Sequence, residues 1–240
     1  MARNSFFKFK QFTINQDKSA MKVCTDACVF GAWVDIENAK NILDIGAGTG
    51  LLSLMVAQRN NIAKISAVEL DQEAFIQATE NVRESPFYNQ ISVVKTAIQD
   101  FLPDEKFDCI ITNPPFFQSD LKSPDAKINL AHHADSLSFE DLLIAVKRLL
   151  LPKGVWNVLL PVDEGLVFHD LAEKSDWILC RELTLYHQKG KKPFRKLMSF
   201  QLSEMADNMP FSSDLFIYEE DGKTYHPEFE KLLKDYYLQF

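Results

Sequence analysis

The chain has no run that stays apolar over the roughly 18 residues a membrane span needs. Its first ten residues, MARNSFFKFK, lack the continuous apolar core and small-residue cleavage site of a secretory signal. A cytoplasmic protein is therefore expected, with no membrane partner. Cysteine is scarce, with four in 240 residues. Cys24 and Cys28 have no second Cys or His pair at zinc spacing, and a structural zinc wants four ligands. Cys109 and Cys180 lie in apolar runs, where a reduced thiol behaves as a small hydrophobe. Buried or incidental thiols are the better reading, and no metal is expected. A basic surplus is also missing: Lys and Arg number 26 against 34 Asp and Glu, a net charge of −8. That removes the immediate signal of a nucleic-acid binder. It does not exclude one, because phosphate contacts depend on local patches. Glycine (8) and proline (10) are few, and there is no repeat, low-complexity segment or long linker. With 46% hydrophobic residues, the 240-residue chain reads as one domain around one sizeable core, and as a monomer.

Apolar runs of strand length alternate with longer amphipathic segments. The spacing predicts strands over 41–45, 63–68, 91–94, 107–112 and 154–160, with helices over 50–58, 71–84 and 138–150 between them. Ser138 is the expected N-cap of the last of these, with Asp141 three residues on as in a capping box. Strands that are apolar throughout imply a mainly parallel sheet covered on both faces. The segments 177–187 and 195–202 also read as strands, but the linker between them is too short for a crossover helix. They should form an antiparallel hairpin. The expected fold is thus α/β, a doubly wound, mainly parallel seven-stranded sheet ending in an antiparallel hairpin. Residues 1–40 form an N-terminal arm or lid, with an extended piece over 6–14 and a helix over 25–36 capped by Thr25. Residues 41–204 form the core. Residues 205–240 are a C-terminal extension whose helix starts near Pro227 and runs over 226–240.

The first core strand runs into Asp44-Ile45-Gly46-Ala47-Gly48-Thr49-Gly50. Glycines at a strand's carboxyl end let the backbone turn tightly and approach a ligand closely. The dinucleotide fingerprint is G-x-G-x-x-G, whereas here the spacing is G-x-G-x-G after an Asp. No pyrophosphate seat is implied. A ligand with an amino-acid end and a ribose fits better. Glu69, at the end of the second core strand, is placed to hold ribose hydroxyls, about 20 residues after the loop. Ala97, Ile98 and Asp100 follow the third strand and could line an adenine. Composition and spacing indicate only a ribose-bearing ligand. The region resembles the Rossmann-like S-adenosylmethionine-dependent methyltransferases, and that resemblance implies S-adenosyl-L-methionine as the cofactor.

The fourth strand ends in Asn113-Pro114-Pro115-Phe116. A conjugated amino group is a poor nucleophile, because its lone pair is delocalised. Two acceptors aimed at its two hydrogens favour turning that lone pair out of the plane, toward a methyl sulfonium. The Asn113 side-chain oxygen supplies one, and the Pro114 carbonyl can supply the other. The prolines fix the turn and remove competing N–H donors, and Phe116 offers a ring on which a planar substrate can stack. No ionised base is needed before attack, so most of the acceleration would come from orientation. The tetrapeptide resembles the N-P-P-[YF] signature of amino-methyltransferases.

Several segments outside the cofactor core carry a closer likeness: FKFKQFTINQDKSAMKVCTDACVFGAWV near the start, NPPFF, AHHADSLSFEDLL over 131–143, and KGKKPFRKLMSF in the hairpin. On these the chain resembles the bacterial tRNA(Val) (adenine-37-N6)-methyltransferase family over nearly its whole length. The resemblance implies N6-methylation of an adenine in a tRNA anticodon loop. The expected cofactor set is Thr25, Asp44, Gly46, Ala47, Gly48, Glu69, Leu70, Asp71, Ala97, Ile98 and Asn113. The expected catalytic set is Asn113, Pro114, Pro115 and Phe116. The expected substrate contacts are Phe116, Phe117, Lys189, Lys191, Lys192 and Arg195. Two readings of the hairpin lysines stay open, a grip on RNA phosphates or ordinary solvated surface. His132 and His133, after the catalytic turn, are either RNA contacts or part of a polar loop. A protein-glutamine N5-methyltransferase acting on a release factor would use the same Asn-Pro-Pro-aromatic logic, but the resemblance there includes a helical domain for which 40 residues leave little room. A DNA adenine methyltransferase would need a longer recognition insertion. A non-catalytic cofactor-binding protein would have no use for an intact Asn113 to Phe116.

Overall fold

The computed structural model describes residues 5–19, 21–114, 137–203 and 210–240. Pro115, Phe116, Phe117, His132 and His133 lie outside the described residues.

Two short strands, β1 (Phe6–Lys8) and β2 (Thr13–Asn15), pair antiparallel in the arm. Helix α1 (Thr25–Trp33) follows, then β3 (Asn41–Ile45), α2 (Leu51–Arg59), β4 (Lys64–Glu69), α3 (Gln72–Arg83), β5 (Ile91–Lys95) and β6 (Phe107–Thr112). After residue 137 come α4 (Phe139–Leu149), β7 (Leu150–Pro161), α5 (Val162–Lys174), β8 (Trp177–Gln188), β9 (Pro193–Leu202), β10 (Phe211–Tyr218) and α6 (Pro227–Leu233). The main sheet has the order β10-β8-β9-β7-β6-β3-β4-β5. From β7 to β5 every neighbour is parallel, and β9 is antiparallel to both β7 and β8.

The α/β architecture and the terminal hairpin are as expected, but the sheet has eight described strands rather than seven. The eighth is β10, from the C-terminal extension, which adds parallel to β8. Parallel strands at its edge let β8 bury Leu185 against Leu215. Helix α5 was also not expected. Only Gly165, Phe168 and Ala172 are buried in it, while Leu166 and Val167 are exposed. Its apolar stripe is therefore too narrow to stand out as a helical period.

Two apolar layers cover the sheet. One joins β3, β4 and β9 side chains to α1, α2, the arm and α6. The other joins Leu43, Ile110, Trp156 and Phe200 to α4 and α5. Helix α1 is buried from Asp26 to Trp33, so it is an inner helix with no polar face. Its N-cap is Cys24, not Thr25, which corrects the expectation. Extended backbone at Cys24 (φ −127°, ψ 154°) starts the helix, with no side-chain cap, and the Cys28 amide donates to the Cys24 carbonyl. Ser138 caps α4 as expected: its Oγ accepts from the Asp141 amide at 3.1 Å and donates to Asp141 Oδ2 at 2.8 Å. Pro227 opens α6, but that helix stops at Leu233 rather than running to Phe240. A turned tail takes over, in which the Tyr236 hydroxyl donates to the Met55 carbonyl at 2.9 Å and Tyr237 stacks near Phe240. These aromatics therefore pack against their own chain.

Candidate active site

Strand order sets the site. β4 lies on one side of β3 and β6 on the other, so the connections after β3 and β6 diverge at one point of the carboxyl edge. Open α/β sheets bind ligands at such a point. Ile45 pairs with Thr112 across it, and the Thr112 hydroxyl donates to the Ile45 carbonyl at 3.0 Å. Gly46 and Asn113 each follow one of those paired residues, so they stand about one strand spacing apart, ~4.8 Å.

The glycine loop is built for close approach. Gly46 (φ 73°) and Gly48 (φ 58°) adopt left-handed backbone that L side chains rarely take. A Cβ at either would meet nothing within 4 Å, so the space beside them is open. The amides of Gly46 and Ala47 both donate to the Val68 carbonyl. The Gly48 amide donates to Glu69 Oε2 at 2.7 Å, and the Asp71 amide to Oε1 at 2.8 Å. Glu69 thus shapes the loop from below. A carboxylate has about four acceptor positions, so both oxygens keep capacity for ribose hydroxyls.

Asp44 is fully buried. Its Oδ2 accepts from the Ser53 amide at 3.1 Å and the Ser53 hydroxyl at 2.7 Å, while Oδ1 has no partner among the described residues. Burial first, with the nearby Glu69 charge adding, pushes its carboxyl up to about 7. Asn113 Oδ1 is likewise buried, with no hydrogen-bond partner among the described residues. A buried acceptor left unmade costs about 1–3 kcal/mol. Two such acceptors, flanking an open glycine loop, fit a ligand that brings a cationic amine to one and a substrate N–H to the other. Pro114, beside Asn113, is buried.

The other expected cofactor residues divide. Asp71 spends Oδ1 on capping α3, accepting from the Ala74 amide at 2.8 Å. Leu70 is exposed and offers apolar surface. Ala97 is half-buried. The Ile98 side chain packs into the α4 layer, so only its backbone is available to a ligand. Thr25 is exposed at the start of α1.

Several supporting residues escaped the sequence reading. Arg148 on α4 donates to the carbonyls of Ile98 (2.9 Å), Gln99 (3.2 Å) and Phe101 (2.7 Å), fixing the loop after β5. Buried Asn81 on α3 donates to the carbonyls of Asn15 (2.8 Å) and Thr49 (2.9 Å), tying the arm to the glycine loop. Gln77 accepts from the Lys18 amide at 3.1 Å, and Gln16 accepts from the Val23 amide at 2.8 Å. For Arg148, Gln77 and Asn81 the only sequence signal was a polar residue on an amphipathic helix, and Gln16 lies in the arm outside any helix.

The hairpin rises at the same edge. Thr112 is level with Val158, and Val158 with Met198, so Asn113 is level with Leu197. β9 begins four residues further out, at Pro193, roughly 13 Å above that level at ~3.3 Å per residue. Lys189, Lys191 and Lys192 are exposed at its tip. Arg195 is placed differently. Its Nε donates to Oδ2 of buried Asp26 at 2.6 Å, joining β9 to the first turn of α1.

A family model described as the methyltransferase small domain matches residues 22–147. A tRNA1(Val) (adenine(37)-N6)-methyltransferase of Dyadobacter fermentans is 60% identical over 240 residues, covering all of both chains. The enzyme of that name from Parabacteroides distasonis is 41% identical over 238 residues, covering 98% of this chain and 99% of its own. Among solved structures, a predicted O-methyltransferase from Agrobacterium tumefaciens is similar with a TM-score of 0.67 at 18% identity, covering 88% of this chain and 96% of that one. A glycopeptide N-methyltransferase complexed with S-adenosyl-L-methionine has a TM-score of 0.55 at 11% identity, covering 74% and 93%. At those identities the structures speak for the fold alone. The sequence relatives speak for more, and over its full length this chain belongs to the tRNA1(Val) (adenine(37)-N6)-methyltransferase family.

Proposed function

We propose that the protein methylates N6 of the adenine at position 37 of a valine tRNA, using S-adenosyl-L-methionine. The observation that carries this reading is Asn113 Oδ1, a buried acceptor with no hydrogen-bond partner among the described residues, at the end of β6. It stands one strand away from an open glycine loop. The names of the full-length relatives support the substrate.

S-adenosyl-L-methionine, when bound, supplies an electrophilic methyl group. The loop at Gly46 to Gly48 would receive it, Glu69 would accept from its ribose hydroxyls, and Asp44 Oδ1 would face its ammonium. Asn113 Oδ1 accepts one N6 hydrogen of the adenine, and the Pro114 carbonyl is the acceptor for the other. Held by both, the amine presents its lone pair out of the ring plane. The proton is lost after transfer, so no residue must ionise beforehand. Well-oriented reactants can gain about 7–11 kcal/mol from positioning. An anticodon-loop adenine is already unpaired, so splaying it out costs less than extrusion from a duplex. Residues 1–240 act as one unit in this reading, with the arm as a lid beside the cofactor loop. Such an enzyme works in the cytoplasm, beside its tRNA.

The test is incubation with labelled S-adenosyl-L-methionine and, separately, unmodified valine tRNA and release factor. Label recovered as N6-methyladenosine from the tRNA is expected. Label in the release factor alone would overturn the substrate in favour of a protein glutamine.

A further inference from the structure

The hairpin tip carries an arrangement that methyl transfer does not use. The His187 ring lies flat on Phe194, with centroids 4.1 Å apart and planes 5° from parallel. Phe194 is half-buried and packs on the core layer that holds Leu185 and Leu197. The Arg195 guanidinium stands 5.6 Å from the Phe194 ring centre, and Asp26 holds that guanidinium in turn. Phe194 is therefore fixed from below and from the side, while His187 above it is exposed. Tip charge is divided. Lys189 stands 3.9 Å from Glu220, whereas Lys191 and Lys192 make no ion pair among the described residues.

An exposed planar ring backed by a fixed second ring is a platform for a third. Cations beside it suit a partner that alternates flat rings with negative charge. Single-stranded RNA does so, and a duplex does not offer its base faces. The platform stands about level with Pro193, three or more residues outward of the level of Asn113 along β9, so its occupant is not the base being methylated.

We propose that His187, supported by Phe194, stacks on an anticodon-loop base flanking the target adenine, with Lys191 and Lys192 against the adjoining phosphates. The proposal rests on the tRNA reading above, and it names which part of that RNA the hairpin takes.

The experiment uses the full-length protein and an anticodon stem-loop carrying the fluorescent base 2-aminopurine at each loop position other than the target in turn. Stacking quenches that base. With the wild-type protein, quenching is expected at one flanking position. His187→Ala should abolish it and weaken RNA binding by roughly tenfold, as for loss of one base–aromatic stack. His187→Phe should keep both, and turnover at saturating RNA should be unchanged in each variant. His187 is exposed, so neither variant removes core packing. Unchanged quenching and affinity in His187→Ala would overturn the proposal, as would equal loss in His187→Phe. The readout is binding, not methylation. A wild-type protein that quenches the base without methylating the RNA would therefore sink the reaction and leave the platform standing.

Discussion

Arg195 Nε lies 2.6 Å from Asp26 Oδ2, and this ion pair bolts the hairpin to the first turn of the inner helix α1. Asp26 is buried and Arg195 keeps 24% of its side chain exposed. Removing one partner of a buried pair strands the other and typically costs 3–5 kcal/mol. Solvent at the Arg195 end discounts that to about 2–3 kcal/mol. Asp26→Asn should therefore lower the melting temperature by roughly 4–12 °C. An unchanged melting temperature would reduce the pair to a surface contact.

Asn113→Ala removes the acceptor that has no partner among the described residues, at the turn proposed to hold the substrate amine, and little packing. Cofactor affinity measured by calorimetry should stay within about twofold. Turnover should fall by roughly 10²-fold or more, the scale on which positioned polar groups act. Near-normal turnover would take Asn113 out of the reaction.

Asp44 predicts a pH dependence. Its carboxyl is raised from 3.8 to about 7, chiefly by burial. The folded protein then holds a proton that the unfolded chain releases, so stability of the free protein falls as pH rises across that window. Asp44→Asn should flatten that part of the profile. An ammonium facing Oδ1 favours the ionised carboxylate, so affinity for S-adenosyl-L-methionine should rise with pH up to about 7 and then level off. A flat affinity profile in the wild-type protein would separate Asp44 from the ligand's charge.

Lys191 and Lys192 are exposed at the tip and make no ion pair among the described residues. If both meet phosphates, neutralising them with Lys191→Gln and Lys192→Gln should lower the slope of log affinity against log salt by about 1.4, at ~0.7 per single-strand contact. Melting temperature should not move. An identical slope would return the tip to ordinary surface.

Gly48→Ala places a side chain on left-handed backbone at φ 58°, beside the open space of the cradle. About 1–2 kcal/mol of strain is expected, together with weaker cofactor binding. Wild-type affinity in a folded variant would show that the ligand does not approach there.

Much of this molecule is local, and so it was legible in the sequence. Parallel strands buried on both faces are mostly apolar, which exposed Ile42, Leu43 and Ile45, and Cys109 to Ile111, as sheet. A tight loop against a ligand demands glycine, which exposed Gly46 and Gly48. Ser138 capping α4 and Pro227 opening α6 are consequences of unpaired helix-end amides and of proline's missing N–H. Tertiary structure decided what depends on partners distant in the chain. Arg195 reads as one more cation of a basic stretch until β9 sets it against Asp26, 169 residues earlier. β10 is a short run with exposed Phe211 until β8 supplies an edge. Asn81 and Arg148 are unremarkable polar residues until the arm and the loop after β5 bring carbonyls to them. Capping, turning and burial periodicity act within a few residues and leave their mark on composition. Ion pairs, edge pairing and side-chain-to-carbonyl ties join segments whose spacing only the folded chain defines.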